Sequence, residues 1–108
     1  MTNNRLTLLR QFYEEEPNDP FNAYALAIEY VNQQPQTAKA YFDELLVKKP
    51  DYLPTYYHAA ALYGQLEQVQ RAQELYKKGM ELALQQQQTK TFQELQRALK
   101  ALEDENEW

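Results

Sequence analysis

An internal repeat constrains the fold of this chain more than any other feature. Two copies align with a shift of 33 positions, which places Tyr63 on Tyr30, and then of 34 positions, which places Tyr76 on Phe42. The single-residue difference falls in NQQPQT against QLEQVQR, where a turn can absorb it. Further matches are Tyr24 with Tyr57, Leu26-Ala27 with Ala59-Ala60, and Ala38 with Ala72. A period of this length is typical of stacked repeat units.

Each copy has the apolar spacing of helices. Leu26 and Tyr30, and then Tyr41 and Leu45, lie four residues apart, as one helix face requires. The segment KKPDYLP separates the copies, and only two glycines are present, which argues against a hairpin-rich β fold. We therefore predict two helices per copy, at residues 20–33 and 35–48 and at residues 53–67 and 69–86.

These residues carry a family resemblance. The stretches AYALAIEYVNQQPQTAKAYFDELLVKKP and YYHAAALYGQLEQVQRAQELYKKGMELAL resemble the tetratricopeptide repeat, whose pattern is W-x2-L-G-x2-Y, then A-x3-F, then P. The first copy departs from it at Ala23, where a large aromatic is usual, and the second copy lacks the final proline. The matching positions are Leu26, Ala27, Tyr30, Ala38, Phe42 and Pro50, then Tyr56, Ala59, Ala60, Tyr63, Ala72, Tyr76 and Gly79.

The resemblance implies an all-α fold, a short right-handed α-solenoid of about six antiparallel helices in one domain over residues 1–108. Residues 19–50 form the first repeat and residues 51–86 the second. The spacing in LLRQFYEEEP predicts a half-repeat helix at residues 3–16. Residues 89–103 are predicted to form a capping helix, and residues 104–108 an acidic tail.

Composition excludes several classes of function. The net charge is −5, so nucleic acid, which binds through lysine and arginine, is not an expected partner. No apolar run approaches the ~20 residues of a membrane span, and no signal peptide is evident, so we predict a cytoplasmic protein that does not bind membranes.

Catalytic chemistry also lacks a site in the sequence. Cysteine is absent, and His58 is the only histidine, with no second group spaced to form a catalytic pair or a metal site. The carboxylates of EEE at residues 14–16 splay around a helix and do not converge. We expect no enzymatic activity, cofactor or metal.

The candidate site comes from the family resemblance. Tyr24 and Tyr57 occupy equivalent places that packing does not explain, on the face that lines the concave groove of tetratricopeptide proteins. These aromatics either fill gaps between first helices or bind a ligand. Only Arg97 matches the family's carboxylate clamp, so that mode of binding is not expected. The implied groove residues are Phe21, Tyr24, Ile28, Val31, Asn32, Tyr57, Ala61, Gly64, Gln65, Gln93, Arg97 and Lys100.

The leading interpretation is a non-catalytic adaptor that binds a segment of another protein in this groove. An aromatic end and a basic end would suit a peptide with an apolar anchor and an acidic group. The alternative is a self-associating assembly protein that pairs end faces around Leu6, Leu9 and Leu102. We expect a monomer or a weak homodimer.

Overall fold

A computed structural model describes residues 4–107. Over this range the chain forms six α-helices and no β-strand, which confirms the prediction of an all-α helical-repeat fold. Residues 3 and 108, at the ends of the predicted terminal segments, lie outside the described residues. The helices are α1 (Asn4–Glu15), α2 (Pro20–Tyr30), α3 (Pro35–Lys48), α4 (Pro54–Gln65), α5 (Val69–Gln85) and α6 (Thr89–Glu105).

Proline and a capping side chain set the helix boundaries in the first repeat. The Asp19 carboxylate accepts a hydrogen bond from the backbone N–H of Phe21 at 3.0 Å, and Pro20 opens α2. Pro35 opens α3 in the same way. Gln34, which precedes Pro35, has φ of −136° and ψ of 69°, outside helical geometry. Helix α2 ends at Tyr30 and a turn follows at residues 31–33, so the helix ends three residues before the predicted boundary.

The turns after α4 and α5 share one geometry. The N–H of Gln68 donates to the carbonyl of Tyr63 at 2.9 Å, and the N–H of Gln88 donates to that of Ala83 at 2.8 Å. Glu67 and Gln87 adopt left-handed conformations, with φ of 63° and 59°. This is the pattern of a Schellman turn, which satisfies the last carbonyls of each helix.

The chain divides between Thr55 and Tyr56 into two compact units, which we call unit 1 and unit 2. In unit 1, α2 packs against α1 and α3 around buried Leu26 and Phe42. Tyr30 and Tyr41 stack at 5.9 Å, and Tyr13 meets Tyr41 edge-on at 5.5 Å.

A partly buried hydrogen bond holds the Tyr13 end of this tyrosine row. The Tyr13 hydroxyl donates to the Glu44 carboxylate at 2.9 Å. Burial, followed by this hydrogen bond and the negative charge of Glu44, raises the pKa of Tyr13 to about 12.

In unit 2, two contacts set the relative direction of the helices. A Cβ built on Gly79 of α5 would lie 2.7 Å from Tyr56 Cβ, in the first turn of α4, and 3.1 Å from Leu95 Cδ1, in the first half of α6. A Cβ built on Gly64, at the end of α4, would lie 3.4 Å from Leu102 Cδ1, toward the end of α6. Helices α4 and α6 therefore run in the same direction, and their carboxyl ends lie at the same end of unit 2.

No helix within residues 4–107 is long and apolar enough to cross a membrane.

Candidate functional site

Two matching rows of side chains in unit 2 line a cleft of about 600 Å³. Each row follows the spacing i, i+3, i+4, i+7, so its members share one helix face. The rows are Tyr57, Ala60, Ala61 and Gly64 on α4, and Ala98, Ala101, Leu102 and Glu105 on α6. Gln65, Glu67, Val69, Tyr76 and Asn106 complete the lining.

Small residues keep this cleft open. Alanine or glycine stands at residues 61, 64, 98 and 101 of the lining, and these positions leave space that larger side chains would fill. At its floor the helices still touch, because the Cβ position of Gly64 is within ordinary contact distance of Leu102. The result is a hollow with apolar walls that a side chain of another molecule can enter.

Tyr57 is the aromatic side chain of the α4 row. Its ring is 40% exposed and meets Tyr76 edge-on at 6.3 Å and His58 at 5.4 Å. Burial, with smaller contributions from Tyr57 and Glu105, raises the pKa of the Tyr76 hydroxyl, so this floor group stays protonated and neutral. A ring held by two neighbours can bind with little loss of rotamer entropy.

The groove residues predicted in unit 1 form an aromatic surface. Phe21 is 55% exposed and lies 6.3 Å from Tyr24, and Tyr24 meets Tyr52 edge-on at 5.8 Å. Burial, and to a lesser degree Tyr52, raises the pKa of Tyr24. Ile28, farther along α2, and Val31, in the turn that follows it, are partly exposed, and Asn32 in the same turn is exposed.

Sequence reasoning missed Tyr52. It lies between α3 and α4, where no helical periodicity connects it to Tyr24, so only its aromatic character could have indicated a role. No role was predicted for Glu67 of the α4–α5 turn either, although this residue lines the cleft of unit 2.

The predicted α6 residues lie on a different face from the cleft. Gln93, Arg97 and Lys100 are exposed and do not line it; instead, Lys100 pairs with Asp104 at 3.5 Å. The cleft is lined by the adjacent face of α6, which includes Ala98 and Glu105. This face could have been recognised in the sequence, because its residues follow the spacing i, i+3, i+4, i+7 beside the core residues Leu95 and Leu99. A binding role for the basic row stays a prediction.

The structure shows the surroundings of the groups considered for chemistry. His58 is partly buried, and burial lowers its pKa, so it is neutral at pH 7. Among residues 4–107, no three His, Cys, Asp or Glu side chains are grouped so that they could hold a metal ion.

Comparison with known proteins identifies the fold family. A scan against protein-family profiles gives no match, and a search of curated proteins gives none. Solved structures do match. The solution NMR structure of a tetratricopeptide repeat domain protein from Salinibacter ruber is 39% identical, with a TM-score of 0.77, and the match covers 82% of this chain and 90% of that one. A crystal structure of a tetratricopeptide repeat domain protein from Salinibacter ruber is also 39% identical, with a TM-score of 0.76, over 80% of this chain and 97% of that one. The repeat pattern, the six helices and this similarity together establish that the chain belongs to the tetratricopeptide repeat family.

Proposed function

We propose that this protein is a non-catalytic interaction module that binds a peptide or protein segment of a partner through the exposed faces of its first helices. Tetratricopeptide repeats are helical modules generally used for protein–protein interaction. Fold does not determine function, so the proposal rests on a particular site.

The cleft of unit 2 is the observation that carries the proposal. Apolar walls, a partly exposed aromatic ring and a few polar groups are the usual composition of a recognition site. At about 600 Å³ the cleft can hold one or two side chains of an extended or helical segment. The Phe21, Tyr24 and Tyr52 surface of unit 1 offers a second aromatic contact of the kind favoured in protein recognition.

A substitution that fills the cleft tests this function. Random 12-residue peptides displayed on phage are selected against the protein, and the most enriched peptide is synthesised. Ala61→Met places a longer side chain in the cleft and is expected to weaken binding at least roughly tenfold. Ala40→Met makes the same chemical change at an exposed position of α3 and should leave affinity unchanged.

Circular dichroism of both variants must remain that of the parent for the comparison to stand. A selection that enriches no peptide, or only peptides that Ala61→Met still binds fully, would contradict a binding role for the cleft.

Self-association is a competing function, although by a different surface from the predicted end faces. Leu9 is buried and Leu102 lines the cleft, whereas Leu8 and Phe12, one turn apart on α1, are 48% and 43% exposed. A dimer through α1 would bury that pair. Light scattering over a hundredfold range of concentration distinguishes the functions, because a dimer that survives dilution and is lost in Leu8→Gln favours assembly.

A further inference from the structure

The charged groups that line the unit 2 cleft all have the same sign. Glu67 and Glu105 contribute carboxylates, and no lysine, arginine or histidine is among the lining residues. Both glutamate side chains are exposed to solvent. The cleft therefore has an anionic end.

The carboxyl ends of α4 and α6 add negative potential at that end of the cleft, beside the amino end of α5 at Val69, which adds positive potential. Helix α4 ends at Gln65 and α6 at Glu105, and the two helices run in the same direction, so their carbonyl ends lie together. A helix carboxyl terminus carries partial negative charge, and Glu103 and Asp104 add further charge in the last turn of α6. Carboxylates at this position oppose the helix dipole, so helix stability does not account for them.

Neighbouring cations already have partners. The Arg71 guanidinium lies 3.4 Å from the Glu74 carboxylate and 5.9 Å from the centre of the Tyr63 ring. Lys100 pairs with Asp104 on the adjacent face of α6. Neither cation lines the cleft.

The wall of the cleft suits the stem of a basic side chain. Arginine and lysine carry aliphatic stems that pack on apolar surface while the charged head reaches a polar region. The alanines of α4 and α6 and the ring of Tyr57 provide such a surface.

We infer that the unit 2 cleft binds an arginine or lysine side chain of the partner segment, with its stem between α4 and α6 and its cationic head at Glu67 and Glu105. The inference rests on the proposed function and specifies the partner's chemistry. It reverses the sequence-based expectation of an acidic partner, because Arg97 and Lys100 lie outside the cleft while two carboxylates line it.

A charge-matched pair of variants tests this inference. Random 12-residue phage peptides are selected as before, and the most enriched peptide is measured by fluorescence anisotropy against the full chain. Glu67→Gln with Glu105→Gln removes the cleft charges, whereas Glu81→Gln with Glu94→Gln removes the same net charge at exposed positions that do not line the cleft. The first variant should weaken binding roughly fivefold per carboxylate, as a partly exposed ion pair allows, and the second by less than about twofold.

The peptide supplies the other half of the test. Replacing its basic residue by norleucine should weaken binding to the parent protein but not to the Glu67→Gln, Glu105→Gln variant, because the ion pair is already absent. Raising the salt concentration should weaken binding to the parent more than to that variant.

The outcomes separate the inference from the function beneath it. Peptides enriched in arginine or lysine that respond as described support the inference. The inference is overturned if the selected peptides are not enriched in basic residues, or if the two charge variants respond equally. In that case the proposed function stands if Ala61→Met still weakens the binding of those peptides. Selection of no peptide that depends on the cleft overturns both.

Discussion

The two hairpins of the repeat, α2–α3 and α4–α5, fill equivalent core positions with side chains of opposite size. The first has Ala23 on its first helix and Leu45 on its second, and both are buried. The second has Tyr56, which is 1% exposed, and Gly79, whose missing Cβ leaves room for the tyrosine. Packing thus conserves the volume of a pair and not the size at each position. This explains how the first repeat does without the usual aromatic.

The two copies also differ in side-chain size at two further equivalent positions, which line a cleft in the second copy only. Ile28 and Val31 of the first copy correspond to Ala61 and Gly64 of the second. Ile28 lies on α2 and Val31 directly follows that helix, whereas the smaller pair lines the cleft. Equivalent helices therefore present different surfaces, and the size of the side chains at these two positions contributes to the difference.

Exchanging the core pair tests the comparison with the largest effect. Tyr56→Ala should lower the free energy of unfolding by ~3–5 kcal/mol, since it empties a fully buried site. Adding Gly79→Leu recreates the Ala23 and Leu45 arrangement and should restore ~1–3 kcal/mol relative to the sum of the two single changes. Urea denaturation measures each variant. Losses that simply add would show that the two positions do not share volume.

A smaller effect is expected from adding one methyl group at either glycine. Gly79→Ala should lower the free energy of unfolding by ~1–3 kcal/mol, because its Cβ would lie 2.7 Å from Tyr56 Cβ. Gly64→Ala is the matched control: it places Cβ in ordinary contact and should stabilise α4 by ~0.5–1 kcal/mol. Thermal and urea unfolding compare them. Changes of the same sign would mean that the close approach at Gly79 relaxes.

The two hairpins also differ in how they use a polar residue in the first turn. The Asn22 side chain donates to the carbonyls of Phe12 and Glu16 at 3.2 and 3.0 Å. Its equivalent Thr55 is buried, and within residues 4–107 its hydroxyl has no hydrogen-bond partner. Thr55→Val should raise the free energy of unfolding by ~1 kcal/mol, whereas Asn22→Ala should lower it by a similar amount. A loss in Thr55→Val, measured by urea denaturation, would mean that the hydroxyl is solvated.

The smallest predicted effect is on the stability of the protein at acidic pH. It concerns only the second hairpin, which has His58 where the first hairpin has Ala25. Burial lowers the pKa of His58 in the folded protein. Folding therefore favours the neutral ring of His58. The resulting contribution to the free energy of unfolding is fully present above the unfolded-state pKa of about 6.5. This contribution is lost as the pH falls through the lower pKa of the folded protein. His58→Gln should reduce the fall in unfolding free energy over that acidic range. A histidine NMR titration at or above the unfolded value would contradict this.

Much of the fold could be predicted because periodicity and prolines act locally. Pro20 and Pro35 mark helix starts that the structure places at those residues. Boundaries at helix ends were harder to predict. The turn at Glu67 uses a left-handed residue that is not glycine, so the usual signal of a helix end is missing there.

The site was less predictable because it depends on which helix face meets a neighbour. On α6, Arg97 and Ala98 are adjacent in sequence, yet only Ala98 lines the cleft. If the face of α6 that includes Arg97 is assigned to the cleft, the cleft is predicted to be basic. If the face that includes Ala98 is assigned to it, the cleft is predicted to be acidic. The repeat pattern indicates where a helix packs, but the register of α6 against α4 depends on contacts such as Leu102 with Gly64, which are distant in sequence.

The close approach at Gly79 also has an evolutionary consequence. A chain cannot enlarge residue 79 first, because the Tyr56 ring occupies the space, and it cannot shrink residue 56 first without leaving a void. Among descendants of this sequence, the two positions should therefore change in concert, with paired substitutions separated by few viable intermediates. At Gly64, by contrast, a Cβ would lie at ordinary contact distance from its neighbours, so residue 64 can change without a paired substitution.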